Sequence, residues 1–315
     1  MASADSRRPR LRFAASPVTV SLMGVTSSPD NRVNALKARQ SDESPSEARV
    51  DGSSRGVQAE DRFLSTTEET LRITDLANAA KLSRPAVVVG VPEMGLVGTI
   101  AASYLVEHLG LPEIAYVDSE MMPQVIVVQD AEPKPPIRIY GKGLVAVAVS
   151  EVPLPARISY DLATQLVAWA KSKQCKMVVG VTGLPSEDRV ESGGEKKPVV
   201  LAVTNDQDLR RSIKAIGAQP FEHGIIASTY ATLLRRCISE GVPNITLLAE
   251  SYAEFPDPGA AAAALQVLAE LLPIAVDVKP LLEGAEEIRL NMRSLMSQTQ
   301  QAIQQGGQST RGVYG

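Results

Sequence analysis

Ala86-Val87-Val88-Val89-Gly90-Val91 is an unbroken, largely β-branched run, and it restricts the fold of this chain more than any other feature. Branching at Cβ favours extended backbone. A strand that is apolar at every position must be covered on both faces, which is the situation of a parallel sheet between helices. The run meets Pro92-Glu93-Met94-Gly95, after which the spacing from Leu96 to Leu109 predicts a helix that stops at Gly110. Met177-Val178-Val179-Gly180-Val181 repeats the strand pattern.

Between and beyond these runs, strands and helices alternate. Strands are predicted at Val125–Val128, Leu144–Val149, Val199–Val203, Phe221–Ile226 and Ile245–Ala249, with the Pro-rich Glu132–Pro136 joining the first two. Thr70–Thr74 reads as an edge strand. Helices are predicted over Ile158–Ser172, with Leu162, Leu166 and Trp169 on one face, and over Asp206–Ile216 and Ser228–Glu240. Asp257-Pro258 opens another, to Leu272, because the acid is placed to accept free N–H groups and proline suits the first helical position. The Gly- and charge-rich Gly183–Lys197 reads as an exposed, mobile loop. Such alternation implies right-handed crossovers and one α/β domain, a mainly parallel sheet flanked by helices.

Pro280 starts a last helix. Leu281, Ile288, Leu295 and Ala302 fall seven apart, with Ala285 and Met292 interposed, so one apolar seam runs along it. The seam either packs on its own domain or is shared between subunits. The domain is placed at residues 67–304, with this helix at 280–304 and a flexible tail at 305–315.

Residues 1–66 are rich in Ser, Arg, Asp and Pro without a sustained period, and are read as a disordered extension. Arg7, Arg8, Arg10 and Arg12 followed by Val18–Met23 loosely suggest a targeting segment, but no small-residue cleavage site stands out. Residues 1–84 hold 13 basic and 11 acidic side chains, leaving 19 and 25 for the rest. The folded part is therefore mildly acidic and lacks the basic face that nucleic-acid binding needs. No apolar stretch reaches the length of a membrane span. Cys175 and Cys237 lie far apart without metal spacing and read as reduced thiols of a cytoplasmic protein.

Candidate site residues fall in three groups. Gly90, Pro92, Gly95 and Gly98 form a glycine loop without GxGxxG or P-loop spacing; it serves a tight turn and close helix–strand packing, or an anion on the helix N-terminus. Glu93, Glu151, Glu250 and Thr182 fall just past predicted strand ends, the edge where open α/β sheets bind ligands. Three carboxylates there would hold Mg²⁺ or act as a base, or would simply complement helix starts. No GxSxG or HExxH accompanies them; His108 ends a helix and His223 sits inside a predicted strand. The third group is Val313-Tyr314-Gly315, where an apolar residue and a tyrosine beside a carboxylate make a docking plug.

That ending resembles the hydrophobic-tyrosine-any tail with which proteasome activators enter pockets between α subunits of the core particle. Gly90-Val91-Pro92-Glu93-Met94-Gly95-Leu96-Val97-Gly98 resembles the strand-turn-helix signature of the proteasome assembly chaperone 2 family, common among archaea. Ile137–Tyr140, Ser150–Pro153, Val181–Pro185 and Asp257–Ala262 resemble its other blocks in order, so the likeness spans about residues 70 to 295. The resemblance implies a nucleoside-phosphorylase-like three-layer sandwich that self-associates. It also implies an ATP-independent protein, without cofactor, that helps assemble or activate proteasomes by docking on the α ring. Gln304–Gly312 would tether the plug, with a root-mean-square span of roughly 15–18 Å. The alternative is a phosphorylase- or hydrolase-like enzyme using Glu93, Glu151 and Glu250.

Overall fold

Val87, Val88 and Val89 are buried to the last few per cent because they sit in the middle of an eight-stranded sheet. The computed structural model describes residues 71–77, 81–187, 189, 196–272 and 274–309. In chain order the strands are β1 (Arg72–Asp75), β2 (Leu82–Gly90), β3 (Glu113–Asp118), β4 (Val127–Gln129) and β5 (Glu132–Lys134). After them come β6 (Ile137–Ser150), β7 (Met177–Pro185), β8 (Val200–Thr204), β9 (Gln219–Pro220) and β10 (Asn244–Ser251). The sheet order is β1-β3-β6-β2-β7-β10-β8-β9. Its centre, β6-β2-β7-β10, is parallel throughout, while β1, β3 and β8 pair antiparallel at the flanks.

Alternation along β2 sends its side chains into two cores. Ala86 and Val88 pack with the Val97–His108, Pro258–Leu271 and C-terminal helices, whereas Val87 and Val89 meet Ala156–Ser172 and Ser228–Glu240. Each fully buried valine contributes about 1.5–3 kcal/mol relative to exposure. The result is the mainly parallel α/β sheet with helices on both faces that the sequence implies.

Two glycines set how closely the first helix approaches. A Cβ on Gly90 would lie 2.1 Å from the Gly98 carbonyl oxygen, and one on Gly98 would lie 2.3 Å from that of Val181. No larger residue fits either place.

Several expectations are corrected. Of the stretch predicted as Val125–Val128 only Val127 and Val128 fall in β4, which pairs with β5 in a separate two-stranded sheet, so Glu132–Lys134 of the Pro-rich connector is itself a strand. Glu113–Asp118, not predicted, fills the place in the main sheet. The first half of β6 pairs with β3 and the second half with β2, and Glu151 N donates to Pro136 O at 3.0 Å. The span therefore doubles back at Gly143, whose φ is +60°.

Phe221–Ile226 is no strand; β9 precedes it, and Gly224 at φ +155° turns the chain out of the sheet. His223 accordingly lies exposed in a loop. The helix expected to reach Ile216 ends at Ser212, and β7 runs on to Pro185, into the predicted loop.

The last helix is broken at Gly284 into Lys279–Glu283 and Ala285–Ser309. It packs on its own domain through Leu281, Ile288, Met292 and Thr299, while Ala302 is exposed. Thr299 replaces Ala302 in the seam because its hydroxyl donates to Leu295 O at 2.8 Å and so enters the interface satisfied. The helix also continues five residues past Gln304, where a flexible linker was expected; glutamine is a good helix former, and Gln300, Gln301 and Gln304 carry it toward Gly306 and Gly307.

Candidate functional site

β2 ends at Gly90, and the chain must turn into a helix within a few residues. Gly95 and Leu96 do this with φ of +61° and +50°, a conformation natural for glycine and strained for leucine. The turn places Glu93 beside the Ser228–Glu240 helix. That helix begins after Ala227, which has no side-chain oxygen to cap it. Glu93 Oε1 supplies the missing acceptor from a different part of the chain: Ser228 Oγ donates at 2.8 Å and Thr229 N at 3.0 Å. Burial pushes the Glu93 carboxyl above its ordinary range, against the hydrogen bonds from Thr229 and Ser228. Thr229 and Tyr230 then continue into the core, where the Tyr230 hydroxyl accepts from Val91 N at 3.2 Å.

Glu151 lies just past β6 and faces Arg138, whose Nη2 is 2.7 Å from Oε2. Arg138 is only 2% exposed; Nη1 donates to Gln129 Oε1 at 3.3 Å and the guanidinium lies 5.5 Å over the Tyr140 ring. Burial raises the Glu151 carboxyl too, with the Arg138 charge opposing. Glu250 is inside β10 rather than beyond it, and clasps the start of β8: its Oε2 accepts from Val199 N at 3.2 Å, and its own N donates to Val199 O at 2.9 Å. Thr182 is likewise inside β7, and buried.

The structure thus gives each of the three carboxylates a different partner and does not gather them. Among the described residues, no three His, Cys, Asp or Glu side chains are placed to hold a metal ion. Cys237 is buried, its thiol pushed up to about 12 by desolvation, which removes it as a nucleophile at ordinary pH. His108 stacks on Tyr104 and its Nε2 accepts from Asp277 N at 3.4 Å.

One cluster was not read from the sequence. Asp257 caps its helix as expected, with Oδ1 accepting from Ala260 N at 3.0 Å. It also receives Arg189 in a two-pronged pair, Nε to Oδ2 at 2.9 Å and Nη2 to Oδ1 at 2.9 Å. Arg189 is 7% exposed and Asp257 0%. Nη1 donates to Lys196 O at 3.0 Å, the guanidinium lies 5.3 Å over Tyr252, and Asp257 N donates to Gly95 O at 2.8 Å. Arginine matches a carboxylate with two parallel N–H groups, so the pair fixes direction as well as distance. A lone arginine in a charged, Gly-rich stretch carries no periodic signal that would reveal this.

Between the Glu93–Leu96 turn, the Ala253–Pro256 segment and the C-terminal helix lies a cleft of about 290 Å³, lined by Glu93, Gly95, Phe255, Arg293, Met296 and Gln300. Val313, Tyr314, Gly315 and residues 1–66 lie outside the described residues.

An open α/β sheet with a closely packed first helix, and with strand-end acids held in separate structural contacts, is the class of protein these observations define. The chain belongs to the PAC2 family, whose model matches residues 87–296. It is similar to an uncharacterised protein of Methanocaldococcus jannaschii, 26% identical over 219 residues, 69% of this chain and 88% of that one. Among solved structures it is similar to Pyrococcus furiosus PbaA, an archaeal homolog of proteasome-assembly chaperone. That match is 27% identical with a TM-score of 0.65, over 74% of this chain and 99% of PbaA. Pyrococcus furiosus PbaB, an archaeal proteasome activator, shares the fold at 19% identity and a TM-score of 0.59, over 72% of this chain and 99% of that one.

Proposed function

We propose that this chain is a non-catalytic, ATP-independent proteasome assembly chaperone or activator, acting in the cytoplasm. It docks Val313-Tyr314-Gly315 into pockets between subunits of the proteasome α ring. The observation that carries this reading is membership of the PAC2 family together with similarity to PbaA over nearly all of that chain. The tail supplies the means: valine for an apolar pocket, a tyrosine ring with a polar tip, and a carboxylate for a lysine. The Ala285–Ser309 helix supports it by ending three residues short of Val313. A three-residue plug binds weakly alone; a homo-oligomer presenting several copies raises their effective concentration until the contacts sum to a useful affinity.

Deleting Val313–Gly315, or Tyr314→Ala, is expected to abolish capture of proteasome core particle while leaving the melting temperature of the protein unchanged. Undiminished capture by the shortened chain would refute the docking mechanism. Amidating the Gly315 carboxylate tests its charge separately, with weakened binding as the expected outcome.

A further inference from the structure

The carboxyl edge of the sheet carries large apolar side chains that the fold leaves uncovered: Ile225 is 91% exposed, Met94 46% and Phe255 46%. Local geometry brings them to one edge. Met94 follows Glu93, whose carboxylate holds Ser228 at 2.8 Å, and Ile225 stands three residues before that serine. Phe255 lines the same cleft as Glu93. The loop that presents Ile225 is built rather than slack: Gly224, at φ +155°, lies against the Phe221 ring, where a Cβ would come within 2.2 Å of Cζ. A lone exposed isoleucine is ordinary, but three large apolar side chains from three segments at one edge mark an interaction site.

The course of the last helix decides what covers this edge. Arg289 Nε donates to Pro256 O at 3.3 Å, the Arg293 guanidinium lies 4.9 Å over the Phe255 ring, and Met296 and Gln300 line the cleft with Glu93. The helix therefore passes along this edge. The nine residues from Gln301 to Ser309 add about 14 Å beyond it. Thr310, Arg311 and Gly312 then allow at most about 10 Å before Val313. The point where a partner grips Val313 thus lies within about 25 Å of Gln300, on the rim of the cleft that Phe255 also lines.

Resting on the docking reading above, we propose that Met94, Ile225 and Phe255 form a second contact with the same partner, the apolar ring surface beside the pocket that takes the tail. The tail supplies reach and the patch fixes orientation. Because each contact holds the other near its target, the two together bind more tightly than the sum of separate encounters.

The test is a titration of the full chain against purified proteasome core particle. Ile225→Asp with Met94→Asp is expected to weaken binding about tenfold, the scale for removing an apolar anchor from the middle of an interface, with the melting temperature unchanged. If that variant binds as tightly as the unaltered chain while Tyr314→Ala loses binding, the second contact is overturned and the docking tail stands. If Tyr314→Ala binds undiminished, the tail reading falls and this proposal with it. If Ile225→Asp instead changes the number of subunits in solution, the patch belongs to a contact between copies and the proposal is wrong. Hydrogen exchange on the unaltered protein gives an independent reading: amides of residues 221–227 should slow when core particle is added, and unchanged exchange there overturns the second contact.

Discussion

The two walls of the cleft beside Gly95 are held by different physics. The sheet wall is pinned by a buried Arg189–Asp257 pair, by Glu93 reaching across to Ser228 and Thr229, and by Gly90 against Gly98. The helix wall, Ala285–Ser309, rests on a seam of Ile288, Met292 and Thr299, and beyond it Gln301, Ala302 and Gln304 are exposed. Buried directional contacts over-determine the first wall, whereas the second, held by a narrow apolar stripe and by Arg289 and Arg293 reaching Pro256 and Phe255 at its surface, opens locally at a lower free energy. A rigid body with a loosely seated arm would suit the docking role proposed above, in which the arm meets a pocket whose exact position the body does not set.

Breaking the stronger wall should have the largest effect. Asp257→Ala removes the helix cap and strands a buried guanidinium, and is expected to cost about 3–5 kcal/mol. A urea denaturation midpoint unchanged from the native chain would show that the pair is not what holds this wall. The weaker wall is probed by Ile288→Ala, expected to cost about 2 kcal/mol, the low end for a buried isoleucine, because the cavity opens beside a helix able to shift. The comparison predicts that this loss appears chiefly as faster proteolysis within residues 285–309. Cleavage spread evenly over the whole domain would contradict it.

The smallest effect sharpens the picture through pH. Burial raises the Glu93 and Glu151 carboxyls above the ordinary value of 4.5, so the folded chain holds those protons more tightly than the unfolded one. Their contribution is fully present below 4.5 and is lost as pH rises through the raised values. Glu93→Gln keeps an acceptor for Ser228 and Thr229 but cannot ionise. Its melting temperature should therefore fall less than that of the native chain between pH 4.5 and neutrality. An equal fall would mean that Glu93 does not titrate in that window.

Much of the body was legible in the residues because its signals are local. The run Ala86–Val91 names a doubly covered strand, and Asp257-Pro258 names a helix start; both elements are where the pattern puts them. The helix Ser228–Glu240 has the predicted bounds although its cap comes from elsewhere. What escaped was non-local. Glu113–Asp118 carries a mixed pattern that becomes a strand only because β1 and β6 flank it, and Phe221–Ile226 reads as a strand but leaves the sheet after Phe221, whose N donates to Ala202 O at 2.9 Å. The acids at the strand ends were placed correctly for Glu93 and Glu151, yet nothing in their spacing distinguishes a shared ligand site from three separate contacts.

By itself the sequence determined the alternation of strand and helix, the two-faced burial of the central strands and the family, since each follows from apolar period and turn chemistry within a short window. Only the tertiary structure decided that Glu93 caps a helix some 135 residues away, that Arg189 meets Asp257, and that the last helix passes along the edge where Ile225 stands bare. The physical reason is that a hydrogen bond or an ion pair depends on positions in space to within a fraction of an ångström, and chain order fixes those positions only after the whole sheet has closed.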